Sequence, residues 1–367
     1  MIVYLLVVLA ASLAYLGLLH NYAKLWGDIP EISAVDSKQQ KLSLLIPFRN
    51  EKVNLPRLLA SIEEQVIGSL DVEVIFVNDH STDEGEVLIA NYTGILNTRL
   101  VSLEDGMGKK AAIKKGWESC QGDIIVQTDA DCVLPANWLA AMLASFTNDH
   151  VLLACGPVSF INHTNFWQRI VALDFAGLIA IGAAHIQWRK PMICNAANLA
   201  YRKSLLADVE LNDERASGDD VFLLQSAHHK NPEGIVFVKN KQAIVLTEGP
   251  SSFGAFWNQR LRWASKNGEY DIVANTWILI GVWLYNVLII VSSLSFTAVG
   301  TTVAAFLVVL KVLAEDHFYG KFTDFFSIKT YFTNILLGQP FHILYMAIVP
   351  PLSQVLKYQW KERNVSK

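Results

Sequence analysis

Residues 123–131, Asp-Ile-Ile-Val-Gln-Thr-Asp-Ala-Asp, join a short apolar run to two carboxylates that stand two positions apart. The apolar run predicts a buried strand, because strands covered on both faces are apolar along their whole length. Asp129 and Asp131 follow the end of this strand, and residues two apart in an extended chain point the same way. We therefore expect both carboxylates to face one cation, although an ordinary turn would also account for two aspartates.

The sequence around this stretch repeats the same order of strand, polar loop and helix. Strands are expected at 42–46, 72–77, 99–103 and 123–127, and helices at 51–65, 109–120 and 138–146. Short strands that alternate with helices predict an α/β fold with a parallel, doubly wound sheet. Ligands of such sheets bind at the carboxyl ends of the strands, so the polar residues after each strand form the candidate site.

The composition indicates that part of the chain lies in a membrane. Of the 367 residues, 52% are hydrophobic and 17% are charged, whereas about 25% of the residues of an average soluble domain are charged. No charged side chain occurs between Met1 and Ala23 or between Asn275 and Leu310. As one helix, the second run would be about 54 Å long, whereas a bilayer core is about 30 Å thick. The run is therefore expected to form two membrane spans.

These runs divide the chain into four parts. We expect an N-terminal transmembrane helix at 1–23, an α/β domain at 41–270, a C-terminal membrane region of about three helical segments at 275–356, and a basic tail at 357–367. The three segments are expected at 277–294, 297–314 and 330–356, and the prolines of the last predict a kink or a re-entrant segment. The first run lacks a basic start and a small-residue cleavage site, which favours a retained anchor over a signal peptide. The apolar stretch 166–188 is expected to lie against the membrane, because Arg169 and Asp174 would be costly in lipid.

Two further motifs follow the strand and helix repeats. Asp219 and Asp220 precede an apolar, helix-like run, where acidic residues could also cap the helix and interact with its dipole. Gln259, Arg262 and Trp263 belong to the sequence Gln-Arg-Leu-Arg-Trp, shortly before the C-terminal membrane region. An interfacial anchor at the end of a membrane helix would also contain Arg and Trp.

In this order the motifs resemble those of the membrane-bound, inverting family 2 glycosyltransferases, which include cellulose, chitin and hyaluronan synthases and ceramide glucosyltransferase. The resemblance covers Ser43 to about Lys266 and extends to the flanking membrane helices. The matching positions are Pro47, Arg49 and Glu51 in the opening strand and turn, Asp79 near the nucleotide base, Lys109 in a Gly-Lys segment, Asp129 and Asp131 in the Asp-x-Asp motif, Asp220 in the later acidic motif, and Gln259, Arg262 and Trp263 in the Gln-x-x-Arg-Trp motif.

The sequence departs from the family pattern at three places. Asn78 stands where an acidic residue is frequent, which leaves the choice of nucleotide open. The acidic motif at 218–220 is Gly-Asp-Asp where Glu-Asp is common, and the segment 194–202 lacks a frequent glycine. None of these departures removes a group that the chemistry requires.

The resemblance implies a GT-A fold, an α/β nucleotide-diphospho-sugar transferase domain flanked by transmembrane α-helices. It also implies the transfer of a sugar from a nucleotide-diphospho-sugar, expected to be a UDP-sugar, to a hydroxyl of a membrane lipid or lipid-linked acceptor. Asp131 is the expected ligand of Mg²⁺ or Mn²⁺, with Asp129 directed to the ribose or to a metal-bound water. Asp220, with Asp219 beside it, is the expected base, and a single base opposite the leaving group implies inversion.

The same resemblance assigns the last motif to the diphosphate and the acceptor. Arg262 is expected to bind the diphosphate through its planar donor fork. Trp263 and Gln259 are expected to line the mouth through which the acceptor enters. A processive polysaccharide synthase is the alternative within the class, disfavoured because about three C-terminal segments offer little material for a channel. An inactive sugar-nucleotide-binding subunit or a transporter is the alternative from another class.

Charge distribution bears on partners and on location. The net charge is −4, from 30 Lys and Arg against 34 Asp and Glu, which provides no basic surface for nucleic acid. Nucleotide sugars are cytosolic, so the domain is expected to face the cytoplasm, with a bacterial inner membrane as the expected location. Three full C-terminal spans would then place the basic tail outside, against the positive-inside rule. A re-entrant last segment would remove this conflict.

Overall fold

The computed structural model describes residues 1–32, 41–94, 96–161, 163–209, 219–265, 272–329, 332–356, 358–360 and 363–365. The chain divides into two compact units. The helical unit comprises the described residues of Met1–Asp28, Asn162–Ala184 and Gly249–Val365, and the sheet unit comprises those of Ile29–Ile161 and His185–Glu248. Each unit is described by itself.

The described strands and helices alternate from residue 41 to residue 143, as the sequence predicts. The strands are β1 Lys41–Phe48, β2 Asp71–Asn78, β3 Asn97–Ser102, β4 Ile124–Gln127, β5 Leu153–Cys155, β6 Val158–Phe160, β7 Leu199–Arg202, β8 Ile235–Phe237, β9 Val245–Thr247, β10 Tyr358–Trp360 and β11 Arg363–Val365. The α-helices are α1 Ile2–Asp28, α2 Leu55–Glu63, α3 Gly85–Ala90, α4 Lys109–Ser119, α5 Trp138–Leu143, α6 Phe166–Gln187, α7 Asp219–Lys230, α8 Phe253–Ala264, α9 Val273–Ser293, α10 Ala298–Tyr319 and α11 Phe332–Ser353.

The main sheet of the described sheet unit has seven strands in the order β3-β2-β1-β4-β7-β5-β8. The prediction of a parallel sheet is confirmed for β1 to β4, whose pairs are all parallel. It is wrong for β7, which runs antiparallel to both β4 and β5. The first residue of β7, Leu199, pairs with Gln127 at the end of β4, so the chain enters β7 from the edge where β4 ends and must run the opposite way.

A buried, hydrogen-bonded carboxylate links the starts of the neighbouring strands β2, β1 and β4. Glu73 of β2 accepts from the Ser43 hydroxyl of β1 and from the backbone N–H of Gln121, each at 2.6 Å. The backbone N–H of Gly122, just before β4, donates to Ser43 Oγ at 2.8 Å. Burial raises the pKa of Glu73, but these hydrogen bonds and Arg99 lower it more, so the pKa lies below its ordinary value. Glu73 is therefore ionised, and it connects β2 with β1 and with the start of β4. The candidate site lies at the opposite, carboxyl ends of these strands.

The described residues of the helical unit include helices of membrane-spanning length. Within the described part of the chain, five helices are long enough and apolar enough to cross a bilayer, namely α1, α6, α9, α10 and α11. Protein covers 67% of the apolar window of α6 but only 22% of that of α1. The third expected C-terminal segment forms one helix, α11, which continues through Pro340 and has Pro350 and Pro351 near its end. The side chains of the basic tail lie outside the described residues.

Candidate active site

The carboxyl ends of β1, β2 and β4 meet at one edge of the sheet. Strand β1 lies between β2 and β4, so the chain order reverses here, as it does at the ligand-binding edge of other doubly wound sheets. Arg49 directly follows β1, and its Nη1 donates to the carbonyls of Asp79 (2.7 Å) and His80 (2.8 Å), which follow β2. Two of the expected nucleotide-binding residues, Arg49 and Asp79, are therefore in contact.

Hydrogen bonds tie the loops after β1 and β2 into one surface. Asn50 and His80 have positive φ angles of 51° and 54°, a conformation that turns the chain sharply after each strand. Asn50 Oδ1 accepts from the Thr82 N–H (2.8 Å), and the Asn50 N–H donates to Ser81 Oγ (3.1 Å). The carboxylate of Asp79 is 2% exposed and lies 3.3 Å from His80 Nδ1. These contacts between the two loops could not be predicted from the sequence, because they depend on the pairing of β1 with β2.

Pro47 and Glu51 shape the first of these loops. Pro47 is buried and comes after the last pair between β1 and β4, so the N–H that proline lacks costs no ladder hydrogen bond. Glu51 is 8% exposed, and its Oε2 accepts from Asn54 Nδ2 at 2.6 Å. Both residues therefore hold the loop in place, and direct nucleotide contact by either stays a prediction.

The two carboxylates after β4 differ in their contacts. Asp129 Oδ1 lies 2.5 Å from the Nζ of Lys109, the first residue of α4. The preceding Gly108 has a φ of 96°, a backbone conformation that residues with a side chain disfavour. Glycine at this position lets the chain turn so that α4 begins with Lys109 beside Asp129. The backbone carbonyl of Asp131 accepts from Arg57 Nη2 at 3.3 Å. Arg57 of α2 was missed by the sequence argument, because no motif marks it and only the fold brings it to Asp131.

The donor atoms present fit a hard divalent cation. Cys132 is fully buried, and burial together with the charges of Asp131 and Asp129 holds the pKa of its thiol well above its ordinary value. The site therefore offers carboxylate oxygens and no thiolate. Among the described residues no group of three or more His, Cys, Asp or Glu side chains could hold a metal by itself. Two carboxylates completed by substrate phosphates are the usual arrangement for Mg²⁺.

Asp220 lies in the first turn of α7 and is 8% exposed. Its Oδ1 accepts from the Val221 N–H at 2.9 Å, and its backbone carbonyl accepts from Cys194 Sγ at 3.3 Å. The side chain of Asp219 lies outside the described residues, as does the segment 210–218 that precedes it.

The loop at 194–198 connects Asp220 with the end of β4. Thr128, the residue before Asp129, donates its hydroxyl to the Ala197 carbonyl at 2.9 Å. From the other side, Lys110 of α4 places its Nζ 5.1 Å from the ring centre of Phe222, two residues after Asp220. These contacts join the start of α7 to the same edge that carries Asp129 and Lys109.

Gln259, Arg262 and Trp263 lie on α8, which belongs to the helical unit. The Trp263 ring stacks on Phe175 of α6, with centroids 5.6 Å apart and planes at 28°. Gln259 Oε1 accepts from Arg260 Nη1 at 3.3 Å. Arg262 is partly exposed, whereas Arg260, which the sequence argument passed over, is 4% exposed. That these residues join the strand-edge residues in one site stays a prediction.

One protein family matches the part of the chain that carries the carboxyl ends of β1, β2 and β4. Residues 43–209 match the family described as "Glycosyl transferase family 2". This segment contains Asp79, Asp129 and Asp131, whereas Asp220 and the α8 residues lie beyond it.

Comparisons with whole proteins give distant similarities. The chain is 25% identical over 260 residues to a probable glycosyltransferase, YdaM, of Bacillus subtilis, a match that spans 68% of this chain but only 61% of that relative. It is 23% identical over 309 residues to a poly-beta-1,6-N-acetyl-D-glucosamine synthase of Staphylococcus epidermidis, covering 80% of this chain and 72% of that protein. Among solved structures, a mannosyltransferase of Pyrobaculum calidifontis in complex with GDP-Man and Mn²⁺ has a TM-score of 0.55 and 17% identity. The structural alignment covers 95% of this chain and 97% of the mannosyltransferase, which shows that the two proteins share a fold.

Proposed function

We propose that the protein transfers a sugar from a nucleotide-diphospho-sugar to a hydroxyl of a membrane lipid or lipid-linked acceptor. Residues 43–209 match the family 2 glycosyltransferases, and the fold is GT-A. The observation that carries this proposal is the position of Asp129 and Asp131. They follow β4 beside the point where the strand order reverses, and Lys109 contacts Asp129 there. A carboxylate pair with an ammonium group at this edge suits a diphosphate and its cation.

Asp131 and Asp129 are the residues that would hold Mg²⁺ or Mn²⁺. Such a cation supplies Lewis-acid stabilisation of the departing diphosphate. The solved mannosyltransferase of similar fold holds Mn²⁺ with GDP-Man, which supports both a metal and a nucleotide-sugar donor. Lys109, near Asp129, would add a positive charge to the phosphate side, and Arg57 would hold the Asp131 backbone in place.

Asp220 would act as the base. The acceptor oxygen forms a bond to the anomeric carbon while the bond from that carbon to the diphosphate oxygen breaks. The proton of the acceptor hydroxyl passes to the Asp220 carboxylate, and the nucleoside diphosphate leaves. With one base on the face opposite the leaving group, the anomeric configuration inverts. The hydrogen bond from Val221 holds one oxygen of Asp220 and so orients the carboxylate.

The helical unit supports a membrane acceptor. Five apolar helices could hold the protein in a bilayer, and Trp263, Arg262 and Gln259 lie on α8, between α6 and the C-terminal helices in sequence. We propose that Arg262 binds the diphosphate and that Trp263 and Gln259 receive the acceptor. The donor would be a UDP-sugar from the cytoplasm, and the sheet unit would face the cytoplasm at a bacterial inner membrane.

A processive polysaccharide synthase is the second candidate. It is favoured by the similarity to the poly-beta-1,6-N-acetyl-D-glucosamine synthase, which extends over 80% of this chain and therefore beyond the family 2 segment. The two candidates predict different products from one donor. Single transfer gives a lipid with one added sugar, and processive transfer gives a polymer that lengthens with time.

The full chain, purified in detergent and returned to phosphatidylethanolamine and phosphatidylglycerol vesicles, provides the test. UDP-glucose, UDP-N-acetylglucosamine and GDP-mannose, each radiolabelled, are supplied with Mn²⁺ to vesicles that carry diacylglycerol, a polyprenyl-linked sugar, or neither. We expect one labelled, organic-extractable product of constant size. A water-soluble, size-heterogeneous product would instead support the synthase. If the enzyme transfers the sugar to a soluble sugar acceptor as efficiently as to every lipid acceptor tested, the proposal of a lipid acceptor is refuted.

A further inference from the structure

The described part of the helical unit contains charged side chains buried among apolar helices. Asp174 of α6 and Arg260 of α8 form an ion pair, with Oδ2 and Nη2 2.5 Å apart and side chains 11% and 4% exposed. The other oxygen of Asp174 accepts from the hydroxyl of Tyr345 of α11. His342, also on α11, has its Nε2 3.8 Å from the same oxygen. Asp174 is thus a fixed carboxylate, held on one oxygen by α11 and on the other by α8.

The guanidinium of Arg260 lies between two aromatic rings of its own helix. Its Cζ is 4.6 Å from the ring centre of Phe256 and 4.5 Å from that of Trp263. These three residues are spaced four and three apart, which places them on one face of α8. Phe175, the neighbour of Asp174, stacks on Trp263. Two consecutive residues of α6 are therefore connected to Trp263: Phe175 stacks on its ring, and Asp174 pairs with Arg260, which lies over the ring.

We propose that Asp174 and Arg260 are positioning residues that set the orientation of the Trp263 ring for the acceptor. This inference rests on the proposed function in one respect, the role of Trp263 in acceptor binding. Asp174 directs the Arg260 plane, and the Arg260 plane in turn covers the Trp263 ring. Tyr345 sets the direction of Asp174 from α11, so the indole orientation depends on three helices of the unit.

The chemistry of the pair favours positioning over stabilisation. A buried ion pair is often replaceable by apolar side chains without loss of stability, so stability alone does not account for one here. Arginine can hydrogen-bond a carboxylate and stack on an indole at the same time, because its guanidinium is planar. Lysine would keep the charge beside Asp174 but would lose the stacked plane. Arg260→Lys therefore separates the positioning of Trp263 from the neutralisation of Asp174.

A first experiment measures Trp263 without any acceptor. The full chain, labelled with 5-fluorotryptophan in detergent micelles, gives a ¹⁹F resonance for each of its ten tryptophans, and Trp263→Phe assigns the one at 263. We expect Arg260→Lys to shift or broaden the Trp263 resonance while the others stay in place. Asp174→Glu should retain the wild-type position. An unmoved Trp263 resonance in Arg260→Lys, or equal changes of all resonances, would overturn the proposal.

Two tyrosines provide a matched comparison within the same unit. Tyr345→Phe and Tyr285→Phe each remove one buried hydroxyl, but the Tyr285 hydroxyl donates to the Leu307 carbonyl at 2.9 Å, whereas the Tyr345 hydroxyl donates to Asp174. Tyr345→Phe should move the Trp263 resonance, and Tyr285→Phe should not. A shift in Tyr285→Phe alone, or equal shifts in both variants, would overturn the proposal, because the indole would then not depend specifically on the contact between Tyr345 and Asp174.

Kinetics in vesicles then separate this inference from the proposed function. With the most active donor and acceptor lipid of the panel above, Arg260→Lys should raise the KM for the acceptor about five- to tenfold, with donor hydrolysis unchanged. A raised KM in Trp263→Ala together with a wild-type KM in Arg260→Lys would overturn the positioning alone. A wild-type KM in Trp263→Ala would instead refute the acceptor role of Trp263 in the proposed function.

Discussion

Replacement of Asp220 by Asn tests the proposed base with little change of shape. Asp220 Oδ1 accepts from the Val221 N–H, a hydrogen bond that the amide oxygen of Asn can retain. The contact between the Asp220 carbonyl and Cys194 Sγ involves only the backbone and is kept as well. The variant should therefore fold normally and bind nucleoside diphosphate with wild-type affinity, while it loses the group that takes the proton.

The expected loss of rate follows from the surroundings of Asp220. A positioned general base contributes about 10²- to 10⁴-fold to a rate. Asp220 is only 8% exposed, so water has little access to replace it as the proton acceptor. We therefore expect turnover to fall by about 10³- to 10⁴-fold, which corresponds to about 4–5.5 kcal/mol of transition-state stabilisation.

The assay compares initial rates of sugar transfer in vesicles for the wild type, Asp220→Asn and Asp219→Asn. Nucleoside diphosphate binding, measured by titration calorimetry, provides the control for folding. If Asp220→Asn keeps a tenth or more of the wild-type rate, the assignment of the base is wrong. An inactive Asp219→Asn beside an active Asp220→Asn would move the base by one residue. A product that retains the anomeric configuration of the donor would refute the single displacement itself.

Three further predictions concern the metal site and the sheet. Asp131→Ala should abolish Mn²⁺-dependent transfer while the thermal unfolding temperature stays unchanged, and full wild-type activity in excess chelator would contradict the metal role. Arg57→Met should raise the Mn²⁺ concentration for half-maximal activity by about tenfold, because Arg57 holds the Asp131 backbone; an unchanged metal requirement would count against this support. Because the pKa of Glu73 lies below its ordinary value of about 4.3, its stabilising contribution should be present above that pH and be lost as the pH falls further. Glu73→Gln should flatten this acid dependence in a denaturant series, and equal slopes for both proteins would contradict it.

The sequence predicted the strands β1 to β4 because their residues carry the signal themselves. Strands β1, β2 and β4 are largely apolar runs bounded by polar residues, and β1 and β2 are buried at every position after the first. Strand β3 is mostly polar and carries a weaker signal, with Leu100 and Val101 as its apolar residues. The direction of β7 could not be predicted in this way. Its sequence, Leu-Ala-Tyr-Arg, suits a buried strand of either direction, and the edge at which the chain enters depends on the pairing of Leu199 with Gln127.

The proximity of the candidate site residues was predictable only where strand order determines it. Asp79 and Asp129 follow parallel strands on either side of β1, so a parallel sheet brings their loops to one edge. Arg57 and Cys194 were missed because their partners are backbone carbonyls, of Asp131 and Asp220, which leave no residue pattern in the sequence. Contacts of this kind emerge only from tertiary structure.

The two arginines of α8 show what pattern matching leaves undecided. The motif directs attention to Arg262, yet Arg260 is the one that is buried and paired. Two features of the sequence do point to it. Arg260 shares the helix face of Phe256 and Trp263, and Asp174 is a carboxylate within an apolar helix, where a lone charge would be costly. The cost of an unpaired Asp174 in lipid is what predicts, from the sequence, that the segment lies against the membrane. The ion pair supplies another solution, since a buried charge becomes tolerable once an opposite charge is held against it.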